Sequence, residues 1–201
     1  MALLMDLLTK NRSYRRFDQQ SVIPFTEIAG WVANVRLTPS AGNLQPLRFM
    51  IVNDPEQNGL IFDQLKWAMY LNDWAGPEEG ERPAAYIVIL AESHPGNFIY
   101  IDAGIALQTI LLGAAENGYG GCTIASCNRE RIRAILGITD RLDILLVVAL
   151  GKPREKVVVE EMREDDVHYW RDDSGVHHVP KRKLEDMLYR PVSDDADPAL
   201  R

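Results

Sequence analysis

Apolar residues recur along much of the chain at the three- to four-residue spacing of an amphipathic helix. Pro55 stands where a first helical turn tolerates proline, and Gly118 stands where a helix can end in a left-handed residue. The Asn128 side chain can cap the start of a helix. The helices expected from this pattern cover residues 3–11, 26–36, 55–69, 100–117 and 128–136.

Three shorter runs are almost continuously apolar, which is typical of buried strands. They are residues 48–53, 85–91 and 143–150, and the second is expected to be a central strand. Strands separated by helices indicate an α/β or α+β chain, although the spacing alone does not give the order of the strands.

The character of the sequence changes after Gly151. Residues 152–163 are charged and weakly patterned, whereas residues 167–171 and 176–179 flank a turn-forming segment, so we expect a hairpin there, followed by a short helix. The domain organisation expected is a core over residues 1–151, a C-terminal arm of the same domain over 152–193, and a disordered tail over 194–201.

Size, charge and cysteine content restrict the function. A chain of 201 residues with 46% hydrophobic residues suits one folded domain. Its net charge of -7 argues against a nucleic-acid binder, because such proteins carry a basic face toward phosphates. Cys122 and Cys127 form neither a CxxC pair nor half of a zinc site, which indicates a reducing compartment.

The N-terminal sequence and the longest apolar stretch favour a cytoplasmic protein without a membrane partner. Residues 1–6 lack the positive segment and apolar run of a signal peptide. The stretch from Ala103 to Ala115 is shorter than the roughly 20 residues that a bilayer span requires.

Several catalytic motifs are absent from the sequence. Gly118, Gly120 and Gly121 do not have the dinucleotide-binding spacing, and there is no phosphate-binding loop, zinc-protease motif or serine-hydrolase motif. The histidines are His94, His168, His177 and His178, and the adjacent pair beside the hairpin is more typical of exposed surface than of a metal site, so no metal is expected. An enzyme with this sequence would therefore take its reactivity from a bound cofactor.

The segment Asn11–Phe17 reads NRSYRRF and places three arginines and a serine beside a helix end in an acidic protein. Guanidinium groups and hydroxyls bind phosphate through charge-assisted hydrogen bonds, so this segment is a candidate phosphate site. The alternative is a solvated helix terminus whose arginines face the negative end of the helix dipole.

The segment Pro39–Pro46 reads PSAGNLQP and presents the amides of Asn43 and Gln45 on a proline-bounded loop. Side-chain amides offer both donors and acceptors, which suits the edge of a heterocycle such as the flavin pyrimidine. The alternative is an ordinary connection built from turn-forming residues.

In this order and at this separation, the two segments resemble the FMN-binding nitroreductase family. That family begins with R-R-S-x-R-x-F and continues with P-S-x-x-N-x-Q-P. This chain matches the second motif at both prolines, Ser40, Asn43 and Gln45. The stretch Asp102–Ser126 follows the family's layout of an apolar helix, a glycine turn, a short strand and a flavin-contacting loop. The resemblance covers most of residues 3–151.

The resemblance implies a set of cofactor contacts, with flavin N5 rather than a side chain carrying the chemistry. One group would hold the FMN phosphate and ribityl chain: Arg12, Ser13 and Arg15. A loop from the other subunit would contact the flavin through Pro39, Ser40, Ala41 and Asn43, with Gln45 bracing it. Asn72 would lie at the flavin edge, Asp102 would approach the cofactor across the dimer, and the Ala125–Ser126 backbone would face N5 and O4. Lys181 and Lys183, with Arg182 between them, would close on the phosphate.

Four features depart from the family pattern. Asn11 stands where the first arginine usually is, which removes one phosphate contact or leaves it to another residue. Ala125 replaces an acidic residue that some members carry near N5, and Trp74 replaces a lysine, which bears on nicotinamide preference. The helical excursion that shapes the substrate pocket in larger relatives is short here.

The fold implied by the resemblance is α+β, with a mixed, largely antiparallel sheet flanked by helices. It also implies an interlocked homodimer with two FMN sites at the interface and the arm reaching over the partner. The implied activity is ping-pong reduction of small electrophilic acceptors, such as nitroaromatics or quinones, with NADH or NADPH as co-substrate. The sequence specifies neither the physiological acceptor nor the preferred nucleotide.

Three alternatives stay open at this point. One is a sister chemistry on the same fold, such as dehalogenation, flavin fragmentation or dehydrogenation, for which residues 74–82 are the only local candidate for a substrate lid. The second is a non-catalytic flavin-binding or regulatory protein, and the third is a structural interaction module without a cofactor.

Overall fold

The computed structural model describes residues 4–92 and 98–189, so the expected tail and His94 lie outside the described residues. The chain divides into two compact units, Met1–Lys156 and Val157–Arg201. The first unit holds helices α1 (Leu4–Lys10), α2 (Phe25–Asn34), α3 (Pro55–Phe62), α4 (Ile99–Glu116) and α5 (Arg129–Leu136). Its strands are β1 (Phe17–Asp18), β2 (Leu47–Val52), β3 (Ala85–Glu92), β4 (Gly120–Ile124) and β5 (Leu142–Pro153).

Strand β5 organises the sheet of the first unit. It pairs with β3 along one edge and with β4 and then β1 along the other, while β2 pairs with the far side of β3. Every one of these strand pairs is antiparallel, and a single bridge between Ser13 and Gly121 adds a parallel contact. The antiparallel pairing decides between the two fold classes that the spacing allowed, in favour of α+β.

Both faces of the sheet are covered by helices, as the alternation along β3 shows. Ile87 and Ile89 are fully buried on the face that α2 and α4 cover. Tyr86 and Val88 are fully buried on the opposite face, which packs against α3 and α5. The expectation that residues 85–91 form a central strand is therefore confirmed.

Helix α4 is the long apolar element of the core. Its 18 residues are long and apolar enough to cross a membrane by length and composition, but half of them are buried within the domain, as in the core helix of a globular fold. The helix ends where expected, since Gly118 follows it with a φ of +81°. Asn128 caps α5 by accepting a hydrogen bond from the backbone N–H of Arg131.

Three expectations about secondary structure were wrong, and one strand was not predicted. Helix α3 ends at Phe62 rather than continuing to Met69, because Leu65 forms a bridge with Cys127 and Met69 is exposed. Strand β2 is only half-buried, since it has no neighbour beyond β3 within the described residues. The charged stretch after Gly151 contains a strand that its weak pattern did not reveal, and the first arm of the hairpin is only two residues long.

Three glycines allow close packing at strands β4 and β5: Gly120 and Gly151 against the segment after α1, and Gly121 against α4 and the neighbouring strand. A Cβ atom at Gly121 would lie 2.7 Å from both the Ala149 carbonyl oxygen and Leu111 Cδ2. A Cβ atom at Gly151 would lie 2.8 Å from three atoms of Phe17, which is fully buried. Gly120 likewise makes room for the ring of Tyr14. Glycine is therefore required here for close approach.

The second unit contains a small sheet in the order β6 (Val157–Glu161), β8 (His177–Lys181) and β7 (Trp170–Arg171), followed by helix α6 (Leu184–Met187). Strands β6 and β8 are parallel, and β7 is antiparallel to β8. The expected turn at residues 172–175 is present, because the Asp172 carboxylate accepts hydrogen bonds from the backbone of Ser174 and Val176.

His178 links the strands of the second unit through two carboxylates. Its Nδ1 lies 2.7 Å from Glu160 Oε1, its Nε2 lies 3.2 Å from Asp172 Oδ2, and its ring stacks on Trp170. Only the doubly protonated imidazolium can donate to both partners. The bonds to Glu160 and then Asp172 therefore raise the pKa of His178 above its ordinary value.

We expect the second unit to lose stability as the pH rises through the raised pKa of His178. The stabilisation is fully present at pH values below 6.5, the pKa of a histidine in the unfolded chain. It is lost when the pH rises through the higher pKa of the folded protein and the imidazolium deprotonates. Hydrogen exchange of the β8 amides between pH 6 and 9, corrected for intrinsic rates, should show this loss in the wild type and not in His178→Gln. His168→Gln, at a more exposed histidine, is the matched control; equal pH dependence in all three proteins would contradict the expectation.

Candidate functional site

The arginine-rich segment begins at the C-terminal end of α1. Arg12 Nε donates to the Asn11 carbonyl at 2.7 Å, and Arg12 Nη2 donates to the Leu8 carbonyl at 2.7 Å. Arg12 therefore holds the last carbonyls of the helix, which is the arrangement expected of a cation at a helix C-terminus. The guanidinium is half-buried, so it is fixed at the surface where the segment leaves the helix.

The rest of this segment is docked on strand β4. Ser13 bridges to Gly121, and the Tyr14 N–H donates to the Gly121 carbonyl at 3.1 Å. The backbone N–H groups of Arg15 and Arg16 both donate to Glu155 Oε1. The sequence analysis did not single out Glu155, because its role depends on a contact about 140 residues away along the chain.

The three arginines have different roles. Arg16 forms a two-pronged ion pair with Glu81, at 2.5 and 2.6 Å, and this carboxylate raises the pKa of the Arg16 guanidinium. Arg16 is therefore a structural residue. Arg15 Nη1 donates to the Ser13 carbonyl at 3.2 Å, which places a second guanidinium next to Ser13.

The amide-bearing loop is built against the first turn of α4. Its Ser40 Oγ donates to Asp102 Oδ2 at 2.8 Å, and the Ala41 N–H donates to Asp102 Oδ1 at 3.0 Å. The Gln45 side chain donates to the Asn43 backbone and side-chain oxygens at 3.3 and 3.1 Å, so Gln45 braces the loop. Pro39 lies at the entrance of this loop.

A cavity of about 400 Å³ lies between this loop, helix α2 and strand β2. Ser40, Asn43, Gln45 and Asp102 line it together with apolar side chains of α2. The residues of the arginine segment are not among its lining residues. The two segments that the resemblance combines into one cofactor site therefore do not meet in this cavity.

A second surface lies where β4 ends, at Ala125 and Ser126. The Lys66 N–H donates to the Ser126 carbonyl at 2.9 Å, and Arg129 Nη2 donates to the Ala125 carbonyl at 3.1 Å. Both loop residues are exposed, and among the described residues we find no hydrogen bond from either of their own N–H groups. Lys66, Ala125, Ser126 and Arg129 line one open depression.

Lys66 and Arg129 bring positive charge to this depression, and the sequence analysis missed both. The pattern placed Lys66 inside a helix, whereas it lies four residues beyond the end of α3. Arg129 starts α5 and also donates to the carbonyls of Ile144 and Leu145, which fixes it against β5. Only the Asn128 cap, one residue earlier, could have drawn attention to this position.

Strand β4 connects the arginine segment to the exposed loop. Ser13 contacts the strand at Gly121, and Ala125 follows the strand's last residue. Four residues of extended chain separate these points by about 13 Å. One strand therefore carries a cationic cluster at one end and exposed backbone N–H groups at the other.

The remaining candidate residues lie elsewhere. Asn72 is exposed in the long connection between α3 and β3. Lys181 ends β8 in the second unit, and its carbonyl accepts a hydrogen bond from the Met162 N–H. In the same unit Lys183 Nζ pairs with Glu161 at 2.8 Å, and Arg182 pairs with Asp165.

The two cysteines and the other metal-ligating side chains of the described residues are not gathered into one cluster. Cys122 and Cys127 are free thiols, and burial raises the pKa of both. Within residues 4–92 and 98–189, no three histidine, cysteine or carboxylate side chains are placed to hold a metal ion.

Comparison with known proteins gives one consistent family. The model of the Nitroreductase family matches residues 8–152. A protein of Archaeoglobus fulgidus, provisionally named an NADH dehydrogenase/NAD(P)H nitroreductase, is 29% identical over 60% of this chain and 68% of its own length. The iodotyrosine deiodinase of Thermotoga neapolitana is 23% identical over 76% of this chain and 90% of its own length.

A solved structure supports the same fold. A protein of Exiguobacterium sibiricum, described as a nitroreductase in complex with FMN, superimposes with a TM-score of 0.65 at 16% identity. The match covers 85% of this chain and 98% of that chain. At this identity the likeness establishes the fold alone.

Proposed function

Since this chain belongs to the nitroreductase family, we propose that it is an FMN-dependent oxidoreductase that reduces small electrophilic acceptors at the expense of NADH or NADPH. Nitroaromatics and quinones are the acceptor classes that we put forward. The proposal includes a homodimer, in which each FMN is held by residues of both copies.

One observation carries the proposal: strand β4 has a cluster of guanidinium and hydroxyl groups at one end and an exposed loop at the other. Arg12, Ser13 and Arg15 offer guanidinium and hydroxyl donors of the kind that bind a phosphate monoester. About 13 Å further along the strand, the Ala125 and Ser126 N–H groups are available to acceptor atoms of a heterocycle. A molecule with a phosphate at one end and a polar ring edge at the other fits this donor set, and FMN is such a molecule.

FMN held by Arg12, Ser13 and Arg15 would supply the electron-transfer chemistry between the nicotinamide nucleotide and the acceptor, which we propose to follow a ping-pong cycle. The chain's own residues would bind and orient the ring and tune its charge. Lys66 and Arg129 place two cations, and Asp63 one carboxylate, beside the exposed loop, and the excess of positive charge would favour a more negatively charged ring system. Arg129 is held by three carbonyls, so this charge is preorganised.

The loop carrying Ser40 and Asn43 supports a second copy as part of the site. Leu37 and Leu44, on either side of Ser40, are 88% and 75% exposed, and Ile101, next to Asp102, is 58% exposed. Large apolar side chains clustered on a surface are typical of a protein interface. A second copy covering them would bring this loop toward a cofactor held on the arginine segment of its partner.

The first test is an absorbance spectrum of the purified protein under anaerobic conditions, before and after addition of NADH or NADPH. We expect a flavin spectrum that bleaches with at least one nucleotide and recovers when a nitroaromatic or quinone is added. A flavin spectrum that neither nucleotide bleaches would contradict the reductase and favour a flavin-binding protein. A colourless protein that FMN does not reconstitute would contradict cofactor binding as well.

A second candidate function is reductive dehalogenation, which the deiodinase relative favours. Such a reaction would require a lid over the substrate, and residues 74–82 are the local candidate. The end of this segment is anchored, because Gly80 N–H donates to Gln19 Oε1 at 2.7 Å and Glu81 pairs with Arg16. We therefore place dehalogenation second; release of iodide from iodotyrosine by the reduced protein would reverse the order.

A further inference from the structure

We propose that Asp102 is a positioning residue that holds the amide loop of its own chain in shape for the FMN site of the partner copy. This inference rests on the proposed function, because it assigns Asp102 a role toward the cofactor in that site. In this role Asp102 acts through Ser40 and Ala41 and does not contact FMN.

The geometry of the Asp102 carboxylate supports this role. Asp102 is only 6% exposed, and each of its oxygens accepts a hydrogen bond from the loop: Oδ2 from Ser40 Oγ at 2.8 Å and Oδ1 from the Ala41 N–H at 3.0 Å. A buried carboxylate requires such partners, because an unpaired charge in this position would be strongly unfavourable. The carboxylate is therefore committed to the loop.

Ser40 extends the effect of Asp102 to the far end of the loop. Its hydroxyl donates to Asp102 and accepts a hydrogen bond from the Gln45 N–H at 3.0 Å. This relay connects the start of the loop to its end, five residues later. Without Asp102, the Ser40 hydroxyl would lose the acceptor that fixes its orientation.

The loop needs such support because its backbone is strained. Asn43 and Gln45 have φ values of +55° and +49°, in the left-handed region that non-glycine residues seldom adopt, whereas Gly42 takes its φ of +56° without strain. Strained segments of this kind persist where the surrounding contacts hold them, and they cluster at ligand sites. Asn43, one of these two residues, lines the cavity together with Asp102.

The site that depends on this loop lies on the other copy. Arg12, Ser13 and Arg15 are absent from the cavity that the loop lines, whereas exposed Leu37 and Leu44 flank the loop. In a dimer that covers these leucines, a cofactor held on the arginine segment of one protomer would meet the loop of its partner. Asp102 of one protomer would set the FMN affinity of the site in the other.

Four single variants test the positioning role by FMN affinity, measured by fluorescence titration. Asp102→Ala should weaken FMN binding tenfold or more, because it removes both acceptors, and Ser40→Ala should also weaken it. Asp102→Asn should restore most of the affinity, since an amide oxygen can accept from Ala41 and the amide nitrogen can donate to Ser40. Glu116→Ala, at the other end of α4, is the matched control and should bind FMN like the wild type. An Asp102→Asn protein as weak as Asp102→Ala would overturn the relay.

A subunit-mixing experiment tests the action across the dimer. Sedimentation first establishes whether the wild type is a dimer. Arg12→Ala and Asp102→Ala chains are then co-expressed with different tags, and mixed dimers are purified through both tags. If Asp102 serves the partner's site, one site carries both changes and the other carries neither, so half of the sites should bind FMN with wild-type affinity. Two equally weakened sites, or a monomeric wild type, would overturn the inference. A wild-type protein that binds no FMN would instead overturn the proposed function.

Discussion

Replacing Arg12 with alanine should weaken FMN binding about thirtyfold or more, which corresponds to roughly 2 kcal/mol. The guanidinium lies at the start of the segment docked on β4, next to Ser13, and it would donate charge-assisted hydrogen bonds to the phosphate. Because Asn11 stands where the family has its first arginine, few other cations are available to compensate. Fluorescence titration of the apoprotein with FMN measures the effect directly.

Two further measurements separate phosphate binding by Arg12 from its contacts with the end of α1. Arg131→Ala removes the same charge from the exposed side of α5 and should leave FMN affinity unchanged. Titration with riboflavin, which lacks the phosphate, should show little difference between Arg12→Ala and the wild type. Equal loss of FMN and riboflavin binding would show that Arg12 acts only by holding the helix, and unchanged FMN affinity would contradict the phosphate site.

Replacing Gly121 with alanine should lower the free energy of unfolding by about 2 kcal/mol, because the added methyl group has no space. It would lie 2.7 Å from the Ala149 carbonyl oxygen, which is backbone of the central strand β5 and has little freedom to move. The same change should displace Ser13 from its bridge to Gly121 and weaken FMN binding. Urea denaturation of the apoprotein measures the first effect, and FMN titration measures the second.

Gly59→Ala is the matched control for this substitution. A Cβ atom at Gly59 would meet no heavy atom within 4 Å, and the residue lies inside α3. Alanine should therefore leave stability unchanged or raise it by about 0.5 to 1 kcal/mol. A Gly121→Ala protein as stable as Gly59→Ala would show that β4 and β5 can separate without loss, contrary to the packing described above.

The sequence specified those parts of the structure that depend on local pattern. The apolar run of β3 predicted a central strand, and Asn128 and Gly118 marked helix ends that the structure confirms. The pattern failed where a distant contact overrides local spacing. Leu65 and Met69 continue the helical period of α3, but pairing of Leu65 with Cys127 ends the helix earlier.

In the candidate site, too, local pattern predicted some residues and missed those whose position depends on distant contacts. Residue types at fixed spacing identified the arginine segment and the amide loop, because phosphate and flavin edges require particular donors. Spacing could not show that Asp102 is bound by Ser40, that Arg16 pairs with Glu81, or that Lys66 and Arg129 lie beside one loop. The contacts Ser40–Asp102, Arg16–Glu81 and Lys66–Ser126 each join residues more than 50 positions apart and are set by how the sheet assembles.

The position of β5 in the chain has a consequence for biosynthesis. During translation, β1, β2, β3 and β4 all leave the ribosome before Leu142–Pro153, yet three of them hydrogen-bond directly to that strand. The pairing of Phe17 with Pro153 closes late, because it joins residues separated by most of the first unit. Until then the nascent chain exposes the apolar edge of β3, which is a template for wrong pairing. A stalled chain that stops short of residue 142 should therefore depend on chaperones, whereas one in which Pro153 has cleared the exit tunnel should not.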